Sequence, residues 1–268
     1  MKKFPLRIRH QYQKAFTLVE MAVVLIIIGL VISGLLVSLT AQVEQRNFNE
    51  TRASIENVKE ALLGYAMANG RFPCPAVAPT GVVTAVESPV NAATTGVACT
   101  NPLNGYVPGV TLGLSPKDTG GYVLDGWNNP IRYAISNVSD GTYFIFTNST
   151  GMKNASAGAG TTYIAAQTLL TACSTGTGIA VVGTVGSCSG TSTRLTQAAV
   201  LMVYSTGKNT RTGGGVGTDE AANLNADTAF VSHVPSAVGV TNGEFDDIVE
   251  WISANNVFAK LIQVNQLP

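Results

Sequence analysis

The sequence predicts an α+β protein in which one long amino-terminal helix packs against an antiparallel β-sheet domain. Three observations predict this. A 24-residue apolar run at 16–39 passes without a break into an amphipathic stretch. Asn69, Gly70, Pro73 and Pro75 then stop that stretch. Short apolar segments separated by turn residues follow, which is the pattern of consecutive strands.

Residues 1–15 form a basic leader. Lys2, Lys3, Arg7, Arg9 and Lys14 fall within it and no acid does, so the remainder carries 11 basic against 16 acidic residues. A mildly acidic body has no electrostatic footprint for nucleic acid, and no nucleic-acid partner is expected. With 46% hydrophobic residues in 268, the chain is long enough to bury a core. Only 12% of residues are charged, while Gly, Ala, Ser, Thr and Asn crowd the region after residue 75. The surface is therefore polar without being ionic, as suits an exported protein.

The run from Phe16 to Leu39 holds a single charge, Glu20, and as a helix it measures about 36 Å, enough to span a bilayer. Basic residues before it and none directly after it put the amino end in the cytoplasm and the body in the periplasm. A secretory signal has a shorter apolar region, about 7–15 residues, and a small-residue cleavage site, for which this run offers only the poor candidate LTAQ near Ala41. An ordinary signal anchor leaves Glu20 unexplained, because a carboxylate inside such a span costs a few kcal/mol.

These residues carry a resemblance. KAFTLVEMAVVLIIIGLVISGLL resembles the leader and first helix of type IV prepilins and type II secretion pseudopilins, a pilin-like fold. The resemblance implies cleavage by a prepilin peptidase between Ala15 and Phe16, N-methylation of Phe16, and an assembly role for Glu20. It implies as partners other pilin or pseudopilin subunits, the inner-membrane assembly platform and membrane lipid. Two departures stand out: Ala15 replaces the family's usual glycine, and the common mid-helix proline is missing. Physically, cleavage creates an amine at the bilayer edge, and a staggered neighbour's Glu20 pairs with it, turning two unfavourable charges into one pair. Gly29 and Gly34 offer close-approach points for packing.

Beyond Thr40, Ile55, Val58, Leu62 and Tyr65 recur at spacings of three and four, so the helix continues to about residue 68. Residues 69–268 form the periplasmic β-rich domain. Within it, Asp125–Pro130 reads as a turn, Ile131–Ser136 and Thr142–Thr147 as strands around a turn at Asp140–Gly141, and Ala198–Tyr204 as a further strand. GRFPCPA, the Cys99 region, TLGL and DGWNNPIRY also resemble, in that order, the body of a subgroup of pseudopilin-like proteins. Residues 149–197, rich in Gly, Ser, Thr and Ala, read as an insertion or long surface loop. Phe245, Ile248, Val249, Trp251 and Ile252 form an apolar cluster, and Val257, Phe258, Leu261 and Ile262 fit a closing helix.

The four cysteines at 74, 99, 173 and 188 include no CxxC pair. In an oxidising periplasm they favour two disulfides over zinc, most simply Cys74–Cys99 and Cys173–Cys188; sequence proximity alone selects this pairing from the three available. No enzymatic activity is expected. His233 is the one histidine outside the leader, GSCSG spends Cys188 on a disulfide, Ser205 and Lys208 lack the companion elements of an SxxK site, and STGKN lacks the glycine and hydroxyl of a phosphate loop. YSTGKNTRTGGGVGTDEAANLNAD resembles the glycine-rich loop that holds calcium in the major pseudopilin. The resemblance implies Asp219 and Asp227 as ligands, with Glu220 as an additional donor. The other reading is a flexible turn whose acids face water. Asp246 and Asp247 either ligate or cap something, or are solvated. The function expected is that of a minor pilin or pseudopilin; the alternative is a membrane-anchored periplasmic binding or adhesive domain that does not polymerise.

Overall fold

The structure, a computed structural model, describes residues 16–79, 84–90, 96–158, 169–209 and 218–267, with 33–39 described by their backbone alone. The leader and Ala15 lie outside the described residues. The chain divides into two units, Met1–Arg46 and Asn47–Pro268.

Helix α1 spans Leu18–Asn69, one residue beyond the predicted end. It stops where Gly70 adopts φ +67°, a conformation that a side chain strains, while its N–H still bonds to Ala66 O at 2.8 Å. In the first unit the large side chains from Phe16 to Ile32 are exposed in the single chain. Among the described residues no helix is long and apolar enough to cross a membrane. Described side chains of the apolar run end at Ile32, so the expected span of 16–39 lies partly outside them.

The second unit is built on a sheet. Its elements in chain order are β1 (Gly105–Tyr106), β2 (Arg132–Ile135), α2 (Ser149–Gly158), β3 (Leu170–Cys173), β4 (Ile179–Val182), β5 (Val185–Cys188), β6 (Arg194–Ser205), α3 (Thr218–Ala222), β7 (Ala229–Val231), β8 (Ile248–Ser253) and α4 (Ala254–Gln263). β6 organises them. β2 pairs antiparallel along residues 201–204 and β3 along 194–199, while β8 pairs along 199–205. Ala199 and residues 201–204 each have partners on both sides, so β2 and β3 share one edge of β6 and β8 takes the other. β1 extends the sheet beside β2, and β7 lies parallel to β3.

Alternation assigns the two faces. Tyr133, Ile135, Leu201, Val203, Ile248 and Ile252 join Ile55, Val58, Leu62 and Ala66 of α1 and Val257, Phe258 and Leu261 of α4 in one buried cluster. Ala134, Met202, Tyr204 and Val249 face the other way, against Leu170, Ala172 and Phe230. Val200 and Leu201 fall on the same face because the register shifts between Ala199 and Leu201. The closing helix forms as predicted, with Ile262 on its exposed side.

Two expectations change. Thr142–Thr147 is no strand: Asp140 Oδ1 accepts from Thr142 N and Tyr143 N, and Asn148 Oδ1 accepts from Thr150 N at 2.9 Å and Gly151 N at 3.3 Å. The asparagine caps α2, so the chain rolls from the turn into a helix while still burying Ile145 and Phe146. Residues 149–197, expected as an insertion or surface loop, supply α2, the β4–β5 hairpin and β3, whose four residues are all buried. Leu169 and Leu170 end TYIAAQTLL, the one strong apolar piece legible in this region, and Leu170 opens β3.

Below the end of α1, Arg71 makes a bidentate ion pair with Glu87, both bonds 2.8 Å, and also donates to Tyr65 Oη at 2.9 Å. Both partners are buried, where a two-bond geometry is what makes the pair tolerable. The Cys74–Cys99 disulfide closes the same loop.

Candidate functional site

The start of α1 is a reciprocal cap. Thr17 Oγ1 accepts from Glu20 N at 3.2 Å, while Glu20 Oε2 accepts from both Thr17 N and Thr17 Oγ1 at 2.8 Å. The sequence T-L-V-E has the spacing for this, threonine at the cap and glutamate three residues on. Phe16, directly before it, is 80% exposed. The cleavage position Ala15 lies outside the described residues. This local role for Thr17 was legible in the spacing and was missed.

A second constellation lies in the body. α3 carries Asp219 and Glu220 in its first turn, and the segment entering β8 carries Asp246 and Asp247. Carboxylate oxygens of Glu220, Asp246 and Asp247 lie within 4.8 Å of one another, and the residues are 1, 3 and 4% exposed. Glu220 accepts from Asn209 Nδ2 and Asp246 N, Asp247 Oδ2 from Asn223 Nδ2 at 2.7 Å, and Asp246 Oδ2 from Lys208 N at 3.2 Å. Asp246 Oδ1 is buried with no hydrogen-bond partner among the described residues. Gly207, at φ +62°, packs on this carboxylate so closely that any β-carbon would overlap it. Burial, and next the neighbouring Glu220, push the Asp246 carboxyl up to about 7; burial holds Asp247 well above the usual range. Converging oxygens, one of them unpartnered in a buried place, are a donor set that fits a hard cation such as calcium.

Asp219 and Asp227 have separate partners. Asp219 Oδ1 accepts from Thr175 Oγ1 and Gly176 N, and its Oδ2 accepts from Asn242 Nδ2 at 3.1 Å and faces His233 Nε2 at 3.1 Å. Asp227 Oδ1 accepts from Ala229 N at 2.7 Å, shaping the entry to β7. Of the residues expected to hold calcium, Glu220 alone belongs to the buried triad. Asp246 and Asp247, left between ligation and solvation, are buried. Two adjacent acids between Phe245 and Ile248 were the signal in the sequence, because a pair flanked by core residues at a strand start is carried inward.

The histidine and the cysteines are also committed. His233 Nδ1 faces Val234 O at 2.7 Å, and the ring stacks on Phe245 with centroids 3.9 Å apart. Both ring nitrogens are thus engaged by acceptors. Cys173 and Cys188 form a disulfide, as do Cys74 and Cys99, so the pairing suggested by proximity is the one present. Ser205 Oγ donates to Asp125 Oδ2 at 2.6 Å.

No curated protein and no solved structure matches the chain. Residues 10–36, which include Phe16, Thr17 and Glu20, match the prokaryotic N-terminal methylation motif, and the chain therefore carries the signature of type IV prepilins and pseudopilins.

Proposed function

We propose that the protein is a minor pilin or pseudopilin subunit, cut by prepilin peptidase between Ala15 and Phe16, methylated at Phe16 and assembled into a type IV pilus or type II secretion pseudopilus. The observation that carries this reading is the methylation motif at 10–36, within which the helix exposes its described side chains from Leu18 to Ile32 on every side. A helix apolar all round needs lipid or other helices around it. In this reading 16–39 spans the inner membrane, the amino end is cytoplasmic and the body periplasmic, where both disulfides persist. The role is assembly rather than catalysis. Its size, larger than a small major pilin, supports the low-copy assignment.

Glu220, Asp246 and Asp247 would hold a calcium ion in the same proposal. The ion supplies charge neutralisation for carboxylates that burial otherwise penalises.

The rival reading, a membrane-anchored domain that never polymerises, separates at Glu20. Intact mass of the mature protein is expected to lack residues 1–15. Glu20→Ala is expected to enter the membrane as well as the parent, since the inserted charge is gone. In a filament subunit it leaves the neighbour's Phe16 amine without a partner, a loss of several kcal/mol. At equal membrane abundance, the fraction in sheared filaments or crosslinked to partner subunits then falls sharply. Parent-like incorporation of Glu20→Ala supports the anchored domain instead.

A further inference from the structure

We propose that Thr17 is the positioning residue for Glu20, holding its carboxylate inside the subunit's own first turn so that it rests in the membrane already bonded and is presented to a neighbour's amine. The proposal rests on the reading that Glu20 pairs with the Phe16 amine of another copy. Its ground is the geometry at the start of α1. Two donors of Thr17, the backbone N–H and the hydroxyl, reach the same oxygen, Glu20 Oε2, at 2.8 Å each. The hydroxyl accepts from Glu20 N at 3.2 Å, so this one side chain binds residue 20 at both its backbone and its carboxylate.

Three consequences follow physically. An ionised carboxylate with no donors is costly in an apolar medium, and two charge-assisted bonds from the same chain reduce that cost before any partner is present. Amides at a helix start lack partners within the helix, and this arrangement satisfies those of Thr17 and Glu20. Both bonds from Thr17 end on Oε2, so holding the group does not consume Oε1. An amine arriving from a staggered neighbour meets a carboxylate whose rotamer is already fixed, with no internal bond to break. Serine supplies the same donor and acceptor as threonine; valine matches the shape and supplies neither.

The experiment is a double-mutant cycle in the full-length protein: Thr17→Val, Glu20→Ala and the pair, with Thr17→Ser as the conservative control. Incorporation into filaments, or crosslinking to partner subunits, is read at equal membrane abundance and equal cleavage. Thr17→Val is expected to reduce incorporation about tenfold, Thr17→Ser to stay within about twofold of the parent, and Thr17→Val to cause no further loss when residue 20 is alanine. Parent-like incorporation of Thr17→Val, with Glu20→Ala defective, overturns the role of Thr17 and leaves the pairing intact. An equal loss from Thr17→Val in both backgrounds also overturns it, because the hydroxyl then serves the helix start and not the carboxylate. Normal incorporation of Glu20→Ala removes the pairing and the proposal with it. A direct measurement decides the matter if Thr17→Val is poorly inserted or cleaved. In the mature parent held as monomers in micelles, the Thr17 amide is expected to exchange at least tenfold more slowly than in Glu20→Ala; equal exchange overturns the proposal.

Discussion

Between Leu18 and Ile32, α1 turns large apolar side chains outward on every side, with Leu25, Ile26 and Leu30 each more than 60% exposed; between Ile55 and Ala66 it buries one stripe, Ile55, Val58, Leu62 and Ala66, against the sheet. The stripe is answered by residues of the same chain. The outward side chains have no such answer among the described residues of the first unit, and the proposed reading gives them lipid and other subunits instead. In the proposed reading a single helix is thus solved twice, once by its own fold and once by lipid and other helices, and mutations in the two stretches should be felt in different assays.

The largest expected effect tests that division directly. Leu62→Ala empties a fully buried position and is expected to cost the body about 4 kcal/mol, while Ile27→Ala, at a position 55% exposed, leaves the body's denaturation midpoint unchanged. Denaturant titration of both variants in detergent checks this, and equal shifts would break the comparison. Removing the Cys173–Cys188 bridge, which closes a separation of 15 residues, is expected to cost the body about 3 kcal/mol without altering membrane partition of α1. Smaller again is the effect of chelation. Stripping divalent cations is expected to lower the body's melting temperature by a few degrees in the parent and to leave Asp246→Asn unmoved, as calorimetry would show.

The smallest concerns Asp125, whose burial outweighs hydrogen bonds from Ser205, Trp127 and Asn129 and lifts its carboxyl above the ordinary range. A raised folded value means that its stabilisation is complete below the ordinary carboxylate range and fades as pH climbs through the raised value. Asp125→Asn, which keeps an acceptor for the turn amides, should flatten the stability profile over that window, as denaturant titration across pH would show.

Local chemistry explains what was legible. The stop at Asn69–Gly70, the Asp125–Pro130 turn, the strand after it, the closing helix and the near-neighbour disulfides each depend on residues a few positions apart or on short loops. Two of the features that escaped depend on distant partners, while Thr17 and the 142–147 stretch turn on residues close by. β3 reads as part of a glycine- and threonine-rich loop until β6 and β7 flank it. Glu220 meets Asp246 and Asp247 only because α3 and the start of β8 are folded together. Thr142–Thr147 has strand-like residues, but the asparagine at 148 directs the backbone into a helix cap.

The register shift in β6 also sets where this chain tolerates changes in length. Downstream of it, residues 201–204 have partners on both sides and are buried on both faces, so gaining or losing one residue there would exchange Leu201 and Val203 for Met202 and Tyr204 in every layer they touch. Upstream, Arg194–Ala198 is mostly exposed and its pairing with β3 already skips register. A single-residue insertion or deletion between 194 and 198 is absorbed at the irregularity, leaving the faces beyond it in phase. Changes of length confined to Arg194–Ala198 can therefore end before Ala199, short of Val200 and the core against α1.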